Sequence, residues 1–108
     1  DSVGGLEVKT RDGTWIPAPV LQGAFIVNIG DCLMRWTNDI YVSTPHRVVN
    51  RSGKERYSVA FFFDPNPEAV VTAIPTCIPE GQKPRYAAIS AADYLAMRLN
   101  ASHIKLKS

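Results

Sequence analysis

The residues of this chain with the clearest chemical potential are His46, Arg56 and Ser58, which lie close together in the sequence. An imidazole is a common protein ligand for iron. A guanidinium binds a carboxylate through two parallel hydrogen bonds, and a serine hydroxyl adds one more donor. Together the three side chains describe a metal ligand beside an anchor for a carboxylate.

The positions of these residues depend on the strands that carry them. Residues 44–49 and 56–63 are rich in β-branched and aromatic side chains, and the polar residues 50–54 separate them. This composition predicts two strands joined by a turn. Because side chains alternate across a strand, Arg56 and Ser58 point to the same face. If the turn pairs the two strands, the His46 imidazole can lie on the same surface.

Each feature also has an ordinary structural explanation. A single histidine on a strand is most often a residue with a satisfied hydrogen bond and no metal. An Arg-x-Ser pair most often consists of two solvent-exposed side chains at the edge of a sheet. The site hypothesis therefore depends on the three residues acting together, because none of them carries it alone.

The rest of the chain predicts further short strands and one terminal helix. Residues 6–10 alternate apolar and polar side chains, Asp12-Gly13 is a hairpin turn signal, and Trp15 begins a partner strand. Strands are also predicted over residues 24–29 and 70–73, a short helix from Asp31 through Trp36, and a helix over residues 91–100 after Ser90. The pattern indicates a mainly β fold, a sandwich or open barrel with a C-terminal helix.

Charge and cysteine content exclude several classes of function. The net charge is only +2 and the basic residues are scattered, so the dense basic stripe of a nucleic-acid-binding protein is missing. No apolar run approaches the length of a membrane span, and we expect no membrane partner. Cys32 and Cys77 form no C-x-x-C pair, which is typical of reduced thiols in an intracellular, cytoplasmic protein.

Several short motifs occur in an order that resembles a known enzyme family. They are Gly4-Gly5-Leu6-Glu7-Val8, Gly30-Asp31, Arg35-Trp36-Thr37-Asn38-Asp39, Pro45-His46-Arg47-Val48, Arg56-Tyr57-Ser58 and Phe61-Phe62-Phe63-Asp64-Pro65. This series resembles the isopenicillin N synthase-like branch of the 2-oxoglutarate- and iron(II)-dependent oxygenases. The resemblance covers nearly the whole chain and is strongest over residues 24–65.

The resemblance implies a fold, two cofactors and a role for each candidate residue. His46 would be the second histidine of the iron(II) triad, and Arg56 and Ser58 would hold the distal carboxylate of 2-oxoglutarate. The fold would be the C-terminal part of a double-stranded β-helix (jelly-roll), with residues 1–108 as a single partial domain. The implied reaction consumes O₂ and 2-oxoglutarate, releases succinate and CO₂, and oxidises a small organic substrate. Some members of the family oxidise their substrate without 2-oxoglutarate.

One part of the family's pattern is missing from this chain. The iron triad also needs an H-x-D or H-x-E pair, whereas His46 is followed by Arg47-Val48 and His103 by Ile104-Lys105. Either the missing pair lies in an N-terminal portion of the same protein, or the chain is a degenerate paralogue that lacks it. In both cases we expect no oxygenase turnover from these residues alone. Two alternatives are a non-catalytic β-sandwich module that binds a small carboxylate or a protein partner, and a purely structural β domain.

Overall fold

The computed structural model describes the backbone of residues 1–107 and the side chains of residues 1–103. The chain divides into two compact units. The first contains residues 1–30 and 43–62, and the second contains residues 31–42 and 63–108. All three candidate site residues belong to the first unit, whereas both cysteines belong to the second, where their thiols are free.

The first unit is built on the hairpin that the sequence predicts. Strand β1 (Leu6–Lys9) pairs antiparallel with β2 (Trp15–Pro17), so that Val8 lies opposite Ile16. The turn is closed by the Thr10 amide, which donates to the Thr14 carbonyl at 2.8 Å. Gly13 has a φ of 90°, a left-handed conformation that glycine adopts without steric cost. The Asp-Gly turn signal is therefore confirmed.

A third strand completes this sheet and carries the candidate metal ligand. Strand β3 (His46–Val48) pairs antiparallel with the other edge of β1, which gives the strand order β2-β1-β3. In this register His46 lies opposite Val8. The ladder extends beyond the strand at both ends, from the Lys9 amide to the Pro45 carbonyl at 2.9 Å and from the Val49 amide to the Gly5 carbonyl at 2.8 Å. The prediction of a strand near residues 44–49 is confirmed.

Two predicted strands, residues 24–29 and 56–63, do not form in the part of the chain that the structure describes. The pairing of residues 56–63 with the His46 strand, on which a shared surface depended, does not form either, and β3 pairs with β1. Their apolar side chains are exposed, with Phe25 at 95% and Val59 at 98% of full exposure. A strand needs a neighbouring backbone to satisfy its amides and carbonyls, and a β-rich composition does not supply one.

The second unit begins with α1 (Asp31–Trp36), which ends in a well-defined cap. The Asn38 amide donates to the Arg35 carbonyl at 3.1 Å, and the Asp39 amide donates to the Met34 carbonyl at 2.9 Å. These two bonds form a Schellman motif. Asn38 and Asp39 have φ values of 53° and 68°, so both are left-handed. The polar types Asn and Asp tolerate this conformation and suit a turn.

A small sheet and a long helix complete the second unit. Strand β4 (Val70–Val71) pairs antiparallel with β5 (Ile89–Ser90), and Pro75–Cys77 form a 3-10 helix between them. Helix α2 (Ala91–Lys107) follows, seven residues longer than predicted because no proline or glycine interrupts residues 101–107. The Ser90 hydroxyl accepts a hydrogen bond from the Asp93 amide at 3.1 Å, which confirms the predicted helix start. The core of this unit contains Val71, which is fully buried.

Arg35 and Asp31 tie α1 to the elements that follow it in this unit. The Arg35 guanidinium lies 5.0 Å from the centre of the Tyr86 ring and 5.2 Å from that of Tyr94, and it donates to the Ala87 carbonyl at 2.8 Å. Such cation-π contacts stabilise partly desolvated sites. Asp31 pairs with Arg98 of α2 at 2.6 Å. None of these contacts was predicted, because the partners are separated by about fifty residues or more in the sequence.

The buried amide of Asn38 gives a stability prediction. Its side chain donates to the Cys77 carbonyl at 3.2 Å and accepts from the Arg85 amide at 2.8 Å, and the residue is only 5% exposed. Asn38→Ala should lower the free energy of unfolding by about 2–4 kcal/mol, since both bonds are lost and alanine is strained at positive φ. Urea denaturation measures the loss. Asn38→Gly removes the same hydrogen bonds without that strain, so it should lower the free energy of unfolding by about 1 kcal/mol less than Asn38→Ala. Equal losses in the two variants would show that the positive φ of residue 38 does not contribute.

Among the described residues there is no helix that is both long and apolar enough to cross a bilayer.

Candidate functional site

The hydrogen bond of His46 determines which ring nitrogen is open to a ligand. Nδ1 lies 3.0 Å from the Thr44 carbonyl oxygen. A carbonyl can only accept, so Nδ1 carries the proton and Nε2 presents its lone pair. Histidines that bind metals are commonly held in this way, with one nitrogen on a carbonyl and the other on the ion. His46 is solvent-exposed, and its geometry fits a ligand that binds through Nε2.

The register of the strand that carries His46 is held by charges on its other face. Glu7 lies opposite Arg47 and is 8% exposed. Its carboxylate accepts from Arg47 at 2.9 Å and from Arg51 at 3.2 Å. The hydrogen bond from Arg47 is the main cause that lowers the pKa of Glu7. Because side chains alternate across a strand, the Arg47 contacts fix the face on which His46 projects.

Aromatic contact reinforces this outer face of the sheet. The Arg47 guanidinium lies 4.1 Å from the centre of the Trp15 ring, and the Lys9 ammonium lies 5.9 Å from it. Contacts of this kind draw a cation onto the face of an indole. Trp15 of β2 is therefore a half-buried residue that contacts side chains of both β1 and β3.

Arg56 and Ser58 are brought together although the strand predicted to carry them is absent. The Arg56 Nη1 atom lies 3.5 Å from the Ser58 hydroxyl, at the outer limit of hydrogen bonding. The Nε atom donates to the Gly4 carbonyl at 2.5 Å. The guanidinium is thus held by its Nε side, while its outer end lies beside a second donor. Such a pair can bind one carboxylate from two directions.

The three phenylalanines that follow Arg56 in the sequence are largely exposed. Phe61, Phe62 and Phe63 are 79–93% exposed in the described chain. The contact between the Gly4 carbonyl and Arg56 was not predicted from the sequence. The signal was present as the Gly4-Gly5 pair before β1, since adjacent glycines often mark a backbone that something else approaches closely.

The described residues contain no group of three or more His, Cys, Asp or Glu side chains arranged to hold a metal ion. The second histidine, His103, lies in α2, where its Nδ1 is 2.8 Å from the Leu99 carbonyl oxygen. His46 is the candidate metal ligand, and one imidazole supplies only part of an iron site.

Comparison with known proteins identifies the family. Residues 1–65 match the model of the 2OG-Fe(II) oxygenase superfamily. A 2-oxoglutarate-Fe(II) type oxidoreductase, hxnY of Emericella nidulans, is 45% identical over 94 residues, which are 86% of this chain and 27% of that protein. Homoarginine-6-hydroxylase 2-ODD-233 of rice is 47% identical over 77 residues, or 71% of this chain and 24% of that protein.

Solved structures give the same result. A full-length Neurospora crassa protein, crystallised in complex with alpha-KG (2-oxoglutarate), superposes with a TM-score of 0.84 at 40% identity. The match covers 93% of this chain and 32% of that one. A 2OG-Fe(II) oxygenase family protein of Caulobacter crescentus gives 0.83 at 40% identity, over 91% and 34% of the two chains.

The chain belongs to the 2OG-Fe(II) oxygenase superfamily, as its motifs predicted. Iron(II) and 2-oxoglutarate are the cofactors that define this family of oxidoreductases. The matched segment covers between 24% and 34% of the length of these four proteins.

Proposed function

We propose that this chain is the C-terminal part of a 2-oxoglutarate- and iron(II)-dependent dioxygenase domain, within which residues 1–108 form a single partial domain. His46 is one iron ligand, and Arg56 and Ser58 bind the distal carboxylate of 2-oxoglutarate. The observation that carries the proposal is the Arg56 guanidinium, fixed on the Gly4 carbonyl with its outer end beside Ser58, in a family defined by a dicarboxylate cofactor.

The chemistry of each group suits its proposed role. A guanidinium stays charged at every pH of interest and offers parallel donors that match a carboxylate. The Ser58 hydroxyl can add a third hydrogen bond to the same group. Such charge-assisted bonds both orient the cofactor and select an acid with a second carboxylate over one without it. Arg56 therefore gives specificity for 2-oxoglutarate as well as affinity.

Iron(II), when bound, supplies the activation of O₂ and of the 2-oxo acid. His46 contributes Nε2 to it, because Nδ1 is occupied by the Thr44 carbonyl. We propose that the two remaining protein ligands, a histidine and a carboxylate, come from a portion of the same protein that precedes these residues. A site of two imidazoles and one carboxylate leaves coordination positions open for cofactor and O₂.

The jelly-roll architecture is part of the same proposal. Residues 24–29 and 56–63 have strand-like composition yet expose most of their apolar side chains, among them Phe25, Val27, Val59 and Phe61. Pairing with strands outside this chain would satisfy these backbones and bury these side chains. Half a barrel would otherwise present unpaired edges and apolar faces to water.

The proposed substrate is a small organic molecule of a class that this chain does not define. One relative, 35% identical over 104 residues, is named feruloyl CoA ortho-hydroxylase, and another, 47% identical over 77 residues, is named homoarginine-6-hydroxylase. These names indicate substrates of very different chemistry. A segment that is shared among such enzymes is better suited to the common cofactors than to the variable substrate.

A titration under anaerobic conditions tests the proposal. Iron(II) followed by 2-oxoglutarate should give the complete protein a weak visible charge-transfer band, while residues 1–108 alone should give no band and no 2-oxoglutarate decarboxylation. The difference is expected because one imidazole holds iron(II) weakly by itself. A complete protein without the band would favour the rival non-catalytic module, and decarboxylation by the short chain would show that the ligand assignment is wrong.

A further inference from the structure

Gly4 and Gly5 lie directly against Arg56, the proposed anchor for the cofactor. We propose that Gly4 and Gly5 are positioning residues, which hold the Arg56 guanidinium in the orientation that receives the distal carboxylate of 2-oxoglutarate. This inference rests on the proposed function of Arg56. It adds to that function a reason why a long and flexible side chain is ready to bind its ligand.

The Gly4 carbonyl fixes one edge of the guanidinium. It accepts a hydrogen bond from Nε at 2.5 Å, which leaves the Nη atoms on the opposite edge, where Nη1 lies 3.5 Å from the Ser58 hydroxyl. An arginine side chain has many rotamers, and a ligand must restrict them when it binds a free one. Restricting them beforehand removes that entropic cost from binding.

Gly5 allows the guanidinium to come this close. A Cβ atom at this position would lie 3.2 Å from Arg56 Nε and 3.0 Å from the Val49 carbonyl oxygen, both tighter than ordinary contact. The φ of Gly5 is 103°, a conformation that glycine adopts without steric cost. Any side chain here would therefore push Arg56 or the Val49 backbone away.

The same backbone also supports the strand that carries His46. The Gly5 carbonyl accepts a hydrogen bond from the Val49 amide at 2.8 Å, one residue beyond β3 (His46–Val48). The Gly4-Gly5 segment thus contacts the carboxylate anchor through one carbonyl and extends the ladder of the metal-ligand strand through the next. A rigid link of this kind sets the position of one binding group relative to the other.

The test is Gly5→Ala in the complete protein, with Gly13→Ala as its control. Both glycines have positive φ, but a Cβ at Gly13 would meet only the end of the Lys9 side chain, at 3.9 Å. Anaerobic titration with iron(II) present measures the Kd of 2-oxoglutarate and of 2-oxovalerate, which lacks the distal carboxylate. We expect Gly5→Ala to raise the Kd of 2-oxoglutarate by about tenfold or more, and Gly13→Ala by less than about twofold.

The Kd of 2-oxovalerate separates positioning from general damage. A displaced Arg56 should leave it within about twofold of wild type in Gly5→Ala, whereas a misfolded site would weaken both acids alike. Equal Kd values for 2-oxoglutarate in Gly5→Ala and Gly13→Ala would overturn the inference. If Arg56→Ala itself left the Kd of 2-oxoglutarate unchanged, the proposed function would fail as well, so the two failures are distinguishable.

A second variant serves if Gly5→Ala does not fold. Arg56→Lys keeps the charge, but one ammonium cannot donate to the Gly4 carbonyl and also offer two parallel N–H donors to a carboxylate. The inference predicts a Kd for 2-oxoglutarate at least about tenfold above wild type for this variant. A Kd within about threefold of wild type would show that charge alone suffices and that the contact with Gly4 is not needed.

Discussion

Replacing Arg56 by alanine in the complete protein is expected to raise the KM for 2-oxoglutarate by about 100-fold. Removing one partner of a buried, hydrogen-bonded charge pair costs about 2–5 kcal/mol, and each 1.4 kcal/mol is about tenfold in affinity. Steady-state kinetics, with 2-oxoglutarate varied, measures the change. Ser58→Ala should have the same direction and a smaller size, about fivefold to tenfold, because it removes one neutral donor.

Arg51 provides the matched control for the charge. It lies five positions before Arg56, is exposed, and pairs with Glu7 at 3.2 Å on the outer face of the sheet. Arg51→Ala should change the KM for 2-oxoglutarate by less than about twofold, because Arg51 itself is exposed and Glu7 keeps its shorter contact with Arg47 at 2.9 Å. Equal effects at the two arginines would mean that the cofactor responds to overall charge and not to a defined anchor.

Replacing His46 by alanine is expected to abolish detectable turnover and to weaken iron(II) binding by more than about 100-fold. Loss of a residue that merely orients a ligand costs about 10- to 100-fold in metal affinity or activity, so loss of the ligand itself should cost more. Competition with a chromophoric chelator measures the affinity, and release of CO₂ from 2-oxoglutarate measures turnover.

The other histidine of the chain makes the comparison specific. His103 lies in α2 with its Nδ1 on the Leu99 carbonyl, and it has no part in the proposed site. His103→Ala should bind iron(II) with unchanged affinity and retain turnover. Wild-type iron affinity in His46→Ala would contradict the ligand assignment, whatever the effect on turnover.

Local signals in the sequence were sufficient for the elements that depend on neighbouring residues. The Asp12-Gly13 turn predicted the first hairpin, and Ser90 predicted the start of α2. Both structures are closed by hydrogen bonds within a few residues, so both can be predicted from a short stretch of sequence. The turn at Asn38 and Asp39 is likewise closed by hydrogen bonds to residues a few positions earlier.

Elements that depend on distant partners could not be predicted in this way. Residues 56–63 have the composition of a strand, yet they pair with no strand in the described chain, and β3 pairs with β1 instead. Composition indicates that a segment suits a sheet but not which backbone pairs with it. The stacking of Arg35 on Tyr86 and Tyr94 was missed because the contact arises only after α1 and α2 are placed.

In the candidate site, the residue types could also be predicted from the sequence, whereas the contacts that orient them could not. The types and spacing of His46, Arg56 and Ser58 identified the family's pattern, and the family match agrees with it. The contacts that orient these groups, from the Thr44 and Gly4 carbonyls, are made by backbone atoms. Every residue has a carbonyl, so residue types alone do not reveal which carbonyl points at a functional side chain.

The most direct test is a crystal structure of the complete protein with iron(II) and 2-oxoglutarate, in which anomalous scattering locates the metal. We predict iron on Nε2 of His46 and the distal carboxylate on the Arg56 guanidinium and the Ser58 hydroxyl. Iron bound without His46, or a distal carboxylate held by other residues, would contradict this assignment.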